Sequence, residues 1–360
     1  MAVYLGYLLL AGLQIFLFYR KDEFGERYFD SKKYLTLCCI ELILLAGVRG
    51  HNVGADTAVY LRAIDYYSTV GFPEIITAPL VYPFDFEIGY FALTKLCAFL
   101  HLGKTGFLFV VALITYVPVF ITIYKRSRMP YISILCYFAF GMFSYSLGVF
   151  RQMIAISILF CGWHYVTERK LLKYALTVFI AMLFHTTALI AVLLYVLYGI
   201  KWKRVILSFV GAELLLLMLG RPIVMMAVKL LPKYAGYIDG EYDLQGGSYL
   251  MLILLNLILF SCVIVGEIKK EHDDLLICAL MIACCLQAVG YSMAIFGRIV
   301  PYFSIYIMFA IPNTVDKLGK KLKTVAAFLA VGVLFFLAYR EFSGNAYVTP
   351  YYTFFGNLSI

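Results

Sequence analysis

The sequence predicts an all-α, polytopic integral membrane protein with about 10–12 membrane helices. Three observations carry this expectation. Of the 360 residues, 63% are hydrophobic and only 14% charged, with a mean hydropathy of +0.89, which leaves too little polar surface for a soluble domain. Apolar runs approach the roughly 20 residues that cross a hydrocarbon core of about 30 Å. The basic residues fall in short clusters between those runs, a pattern that orients a membrane protein, so the net charge of +9 implies no nucleic-acid partner.

Taken in order, the apolar runs are 2–19, 34–48, 105–124, 131–147, 149–166, 172–184, 186–199, 205–220, 249–266, 275–296, 298–312 and 323–340. The first, Ala2 to Tyr19, is too long for a signal-peptide core and lacks a basic start and a small-residue cleavage site, so it reads as a retained helix. Basic clusters lie at Arg20 to Lys33, Lys125 to Arg128, Arg169 to Lys173, Lys201 to Arg204, Lys269-Lys270 and Lys317 to Lys323. If all of them face the cytoplasm, Arg49, Asp56, Glu87, Arg151, His185 and Arg298 fall at the external ends of their segments. That parity requires 88–102 not to cross, so a re-entrant or interfacial helix is expected near 87–102, with both termini outside. The chain 1–360 reads as one transmembrane domain with external loops 49–87 and 221–248 and an external tail 341–360. The nine cysteines sit almost wholly in apolar segments and read as small hydrophobes. The alternating Asp239, Glu241 and Asp243 lack a full calcium pattern and read as a solvated loop, so neither a metal nor another cofactor is expected.

A charge at membrane depth costs on the order of 2.5–3.5 kcal/mol on insertion scales, so such residues mark ligand sites or paired locks. Arg49 offers a planar fork suited to phosphate oxygens, and Asp56 can take a proton from an attacking hydroxyl; alternatively the two form an ion pair that closes a helix end. Gly54 lets the backbone bend before Asp56, and Thr57 is placed to cap the next helix. Arg151, beside Gln152, and Arg298 follow external turns; with Arg49 they could balance a diphosphate, or each could reach toward lipid headgroups. His185 breaks an apolar hairpin and reads either as a packing residue or as a catalyst, and Glu87 as a helix-start charge or a second site carboxylate.

At these residues the chain resembles the EpsG-type, Wzy-like bacterial polysaccharide polymerases. The resemblance runs through R-x-x-x-x-G-x-D-T-x-x-Y (Arg49, Gly54, Asp56, Thr57, Tyr60), E-x-G-Y (Glu87 to Tyr90) and F-R-Q-x-I-A (Phe150 to Ala155). It continues through F-H-x-x-A-L-I (Phe184 to Ile190), R-x-x-x-Y (Arg298 to Tyr302) and the closing T-P-Y-Y (Thr349 to Tyr352), in order across most of the chain. The resemblance implies a GT-C-like membrane glycosyltransferase on the outer face of the bacterial plasma membrane. Its substrates would be polyprenyl-diphosphate-linked oligosaccharide repeat units, joined into O-antigen, capsule or exopolysaccharide without nucleotide sugar or ATP. A flippase and a chain-length regulator are the partner proteins so implied, alongside membrane lipid. Arg49, Arg151 and Arg298 are then expected at the diphosphate, with His185 assisting. Asp56 and then Glu87 are expected at the acceptor, and Tyr60, Gln152, Tyr302 and Thr57 along the pocket.

Two other classes compete. A flippase or exporter of lipid-linked sugars would use the same arginines, but the polar residues gather on one face and no inverted repeat is visible. A sugar-modifying acyltransferase would need a donor site for which the sequence shows no motif.

Overall fold

A computed structural model describes residues 1–21, 26–69, 86–230, 248–292 and 294–353. The chain is almost wholly helical, as its composition requires. In order the helices are α1 (Ala2–Gln14), α2 (Ser31–Gly47), α3 (Thr57–Ser68), α4 (Ile88–Phe99), α5 (Gly103–Arg126), α6 (Pro130–Ala139), α7 (Met142–Ser146), α8 (Phe150–Cys161) and α9 (Trp163–Thr167). There follow α10 (Leu171–Met182), a 3-10 turn (Thr186–Ala191), α11 (Val192–Leu197), α12 (Trp202–Leu230), α13 (Tyr249–Lys269), α14 (Asp274–Ser292), α15 (Ala294–Gly297), α16 (Pro301–Ser304), α17 (Ile307–Asp316) and α18 (Lys320–Ser343). Local chemistry sets several of these starts. The Asp30 carboxylate accepts from the Lys33 amide at the head of α2, the Ser248 hydroxyl does the same for Met251 at α13, and Pro130 opens α6.

Five described helices are long and apolar enough to cross a membrane by themselves: α5, the 202–223 part of α12, α13, α14 up to Tyr291, and α18. Several expected single spans are broken. The run 131–147 divides into α6 and α7 at Gly141, whose φ of 73° is a left-handed conformation, and 149–166 divides into α8 and α9. The run 186–199 begins as a 3-10 turn, and 298–312 divides into α16 and α17. The expected helix near 87–102 is α4, whose 12 residues span about 18 Å, well short of a hydrocarbon core.

Three further expectations change. A short antiparallel hairpin pairs β1 (Tyr19–Lys21) with β2 (Arg27–Phe29) inside the first basic cluster. α12 continues through Arg221 to Leu230, so the expected loop 221–248 begins later, and its acidic Asp239–Gly247 stretch lies outside the described residues. The tail starts after Ser343, and its described part, up to residue 353, folds back on the molecule. Gly50 and Gly54 donate their amides to the Tyr352 and Tyr347 carbonyls at 2.6 and 2.8 Å, Tyr351 donates its hydroxyl to the Leu45 carbonyl at 2.8 Å, and Tyr4 donates to the Val348 carbonyl at 2.8 Å.

The interior has two parts. A large core joins α1, α2, α5 to α8, α14, α16 and α17, with Phe138 stacked on Phe143 at 4.3 Å. A smaller aromatic core holds α3 and α4 against α5 and the start of α8: Tyr60 stacks on Phe150 at 4.7 Å and meets Tyr90 at 5.3 Å. Such ring pairs contribute about 0.5–1.5 kcal/mol each beyond burial, so this cluster fixes where α3, α4 and α8 begin. α12 and α18 leave large apolar side chains exposed, Leu207 at 84% and Phe328 at 75%, as helices that face lipid do. Several basic clusters meet at one end of the bundle, where Arg126 pairs with Asp273, Lys203 with Glu267 and Lys317 with Glu271.

Candidate active site

At the other end of α8 from that basic end, three chain segments converge on one carboxylate. Glu87 is the N-cap of α4, yet its side chain caps nothing there. One oxygen accepts from His185 Nδ1 at 2.9 Å and from the Thr186 amide at 3.1 Å; the other accepts from Arg151 Nη1. Arg151 is the second residue of α8, and His185 is the residue before the 3-10 turn, so each stands at the start of a helical element. Gly89 makes the convergence possible. Its amide donates to the Leu183 carbonyl at 2.7 Å, and a Cβ on Gly89 would lie 2.7 Å from that same oxygen.

Burial works against the Glu87 charge, but the His185 hydrogen bond and the Arg151 guanidinium outweigh it and hold the carboxyl down at about 2. An ionised carboxylate can only accept, so His185 Nδ1 carries the proton of that hydrogen bond. The Arg151 guanidinium also lies over the Phe86 ring at 5.1 Å and within hydrogen-bonding reach of the Tyr60 hydroxyl.

Around this triplet the structure brings most of the expected residues together. Gln152 donates Nε2 to the Arg298 carbonyl and accepts the Tyr145 hydroxyl at 3.1 Å. Arg298 itself is exposed at the rim and, among the described residues, forms no ion pair. Tyr302 and Thr187 share a hydrogen bond of 2.9 Å. Asp56 is the exposed N-cap residue of α3, within electrostatic range of Tyr60 and Tyr145. Tyr145 and Thr187 were not foreseen. One of 30 tyrosines and a threonine in an apolar hairpin carry no local signal, although the F-S-Y-S-L-G turn before Arg151 was a place to look.

Arg49 and Thr57 stand elsewhere. Arg49 is 2% exposed and donates to the Ala46, Val53 and Leu147 carbonyls, the last two at 3.3 and 3.2 Å, while its guanidinium lies over the Phe150 ring at 5.2 Å. Among the described residues it forms no ion pair with Asp56, so that pairing does not close the helix. Thr57 is wholly buried and donates to the Val53 and Leu147 carbonyls, both at 2.9 Å, instead of capping α3. Gly54, at φ 108°, is pressed against the same Leu147 oxygen, which a Cβ would approach to 1.9 Å. These three residues therefore brace the loop beneath the site. Among the described residues no three His, Cys, Asp or Glu side chains are grouped as metal ligands.

A family model, described as the EpsG family, matches residues 32–353. The chain belongs to the EpsG family. No curated protein and no solved structure matches it. Membership supports a polysaccharide-polymerase-like membrane protein, and the matched range takes in every site and brace residue of this EpsG chain, from Arg49 to Tyr302.

Proposed function

We propose that this EpsG chain is a membrane glycosyltransferase that joins polyprenyl-diphosphate-linked oligosaccharide units on the outer face of the plasma membrane. The observation that carries this reading is the single Glu87 carboxylate held between His185 Nδ1 and Arg151. In the proposed reaction His185 Nε2 takes the proton of the acceptor sugar hydroxyl. The freed oxygen pair bonds to the anomeric carbon, the bond from that carbon to the diphosphate oxygen breaks, and polyprenyl diphosphate leaves with the electron pair. Glu87 stabilises the imidazolium that forms.

Arg151 and Arg298 are the proposed partners of the leaving diphosphate, because a guanidinium can hold a carboxylate and a phosphate oxygen on different donors. The starts of α3, α4 and α8 face the same region, and helix N-termini favour negative charge. Asp56 at the rim orients the acceptor hydroxyls, while Tyr60, Tyr145, Gln152 and Tyr302 line the pocket. Arg49 and Thr57, expected at the substrate, are assigned to the brace instead.

The test is to replace the gene with variants carrying Arg151→Ala, His185→Ala or Arg298→Ala and to size the lipid-linked glycans. Single repeat units that accumulate on the outer face, at normal protein level, are expected. Polymer of wild-type length from Arg151→Ala would overturn the diphosphate assignment, and repeat units retained on the inner face would point to a flippase.

A further inference from the structure

A cavity of about 840 Å³ lies away from this site, at the basic end of the bundle, where α5, α9, the α13–α14 turn and α17 meet. That volume is within the range of small-molecule sites. Its wall is built of opposed charges. Lys125, Arg126, Arg128 and Lys317 contribute four cations, and Glu271, Asp273, Asp274 and Asp316 four carboxylates. Some of these form a fixed frame. Arg126 pairs with Asp273 and lies 4.4 Å over Trp163, and Lys317 donates to the Glu271 carbonyl at 2.7 Å. Asn313 ties the frame together by accepting the Arg128 amide at 2.9 Å and donating to the Arg126 carbonyl at 3.0 Å. Lys125, Arg128 and Asp274 form no ion pair among the described residues.

A second, apolar groove of about 200 Å³ adjoins this chamber. On α13 it is lined by Leu254, Leu257, Ile258, Ser261 and Cys262, a stripe at helical spacing, and on α17 by the facing Ala310 to Val315 side. Cys262 and Thr314 line both spaces and contact each other at 3.2 Å, so the groove begins where the chamber ends. From Leu254 to Cys262 the groove rises about 12 Å along α13.

We infer that the chamber and groove together form a binding site for one phospholipid with a zwitterionic headgroup. A polar chamber at the level of the basic clusters, adjoining an apolar groove along a membrane helix, suits an amphiphile whose headgroup lies in the one and whose chain lies along the other. The balance of charge selects the headgroup. Lys125 and Arg128 suit a phosphate, Asp274 suits an ammonium, and a purely anionic headgroup would face four carboxylates. The site is separate from the Glu87 centre and does not depend on its assignment.

The experiment is native mass spectrometry of the full chain in detergent, titrated with dioleoyl-phosphatidylethanolamine, with dioleoyl-phosphatidylglycerol and with soluble phosphoethanolamine. The ethanolamine lipid is expected to be retained about fivefold over the glycerol lipid, the scale of one partly exposed charge contact. Asp274→Asn should erase that preference. Ser261→Trp, placed on an exposed position so that folding is kept, should abolish retention by filling the groove, and thermal unfolding of each variant checks the fold. Equal retention of both lipids in the wild type, or retention that survives Ser261→Trp, overturns the inference. Phosphoethanolamine binding as tightly as the ethanolamine lipid would also overturn it, by showing a soluble-ligand chamber to which the groove adds nothing.

Discussion

Replacing Glu87 by Gln removes one charge while keeping the shape of the side chain. In the folded chain the carboxyl stands at about 2 against an ordinary 4.5, a difference that corresponds to about 3 kcal/mol. Because the folded value is the lower one, this stability is complete above about pH 4.5 and is lost as pH falls toward 2. The Gln variant should therefore be less stable than wild type by about 3 kcal/mol at neutral pH, since Arg151 loses its half-buried counter-ion. It should also lose the part of the wild-type acid sensitivity that lies between pH 4.5 and 2. Denaturant unfolding in mixed micelles across that range measures both. Polymer formation, assayed with isolated lipid-linked repeat units, should fall by about 10²–10⁴-fold as His185 loses the carboxylate that orients it. A Glu87→Gln chain that polymerises at the wild-type rate, or whose acid unfolding matches wild type, would refute the reasoning.

Three more outcomes follow from the brace and the rim. Gly54→Ala should not accumulate as folded protein, because its Cβ would meet the Leu147 oxygen at 1.9 Å at a φ of 108°; expression and size-exclusion profile report this. Arg49→Ala should destabilise by about 3–5 kcal/mol through three abandoned carbonyls, and activity per folded molecule, measured after removing aggregate, should stay close to wild type. Tyr145→Phe should leave the unfolding midpoint nearly unchanged and reduce polymerisation by about 3–10-fold, the worth of one hydrogen bond at the Gln152 side chain.

The helical, membrane-spanning character was legible because composition and run length express directly how much apolar surface each segment must hide. The breaks inside runs were not. Residues 131–147 carry no charge, and what divides them is the left-handed Gly141 together with the Ser144 hydroxyl donating to Glu341, a partner nearly 200 positions away in sequence. The convergence of Glu87, Arg151 and His185 was anticipated as polarity at one end of the bundle, but its geometry depends on Gly89 meeting Leu183, a contact between backbones. Arg49 was ambiguous for a related reason. A guanidinium bound to phosphate and one bound to main-chain carbonyls look alike in sequence, since carbonyls are present at every position.

The Leu147 carbonyl takes hydrogen bonds from Arg49 and Thr57 and abuts Gly54. A main-chain acceptor belongs to no particular side chain, so exchanging Leu147 for another apolar residue preserves it, whereas changing any of its three neighbours breaks the arrangement. A saturation scan of this region should therefore score positions 49, 54 and 57 as intolerant of any change and the buried position 147 as tolerant of apolar residues of similar size. Such a profile resembles that of reactive groups with a bystander, yet it records a keystone in the loop's masonry. Genetic intolerance across R-x-x-x-x-G-x-D-T thus separates into two kinds, architectural at 49, 54 and 57 and, under the proposed function, chemical at 56, and only assays normalised to folded protein tell them apart.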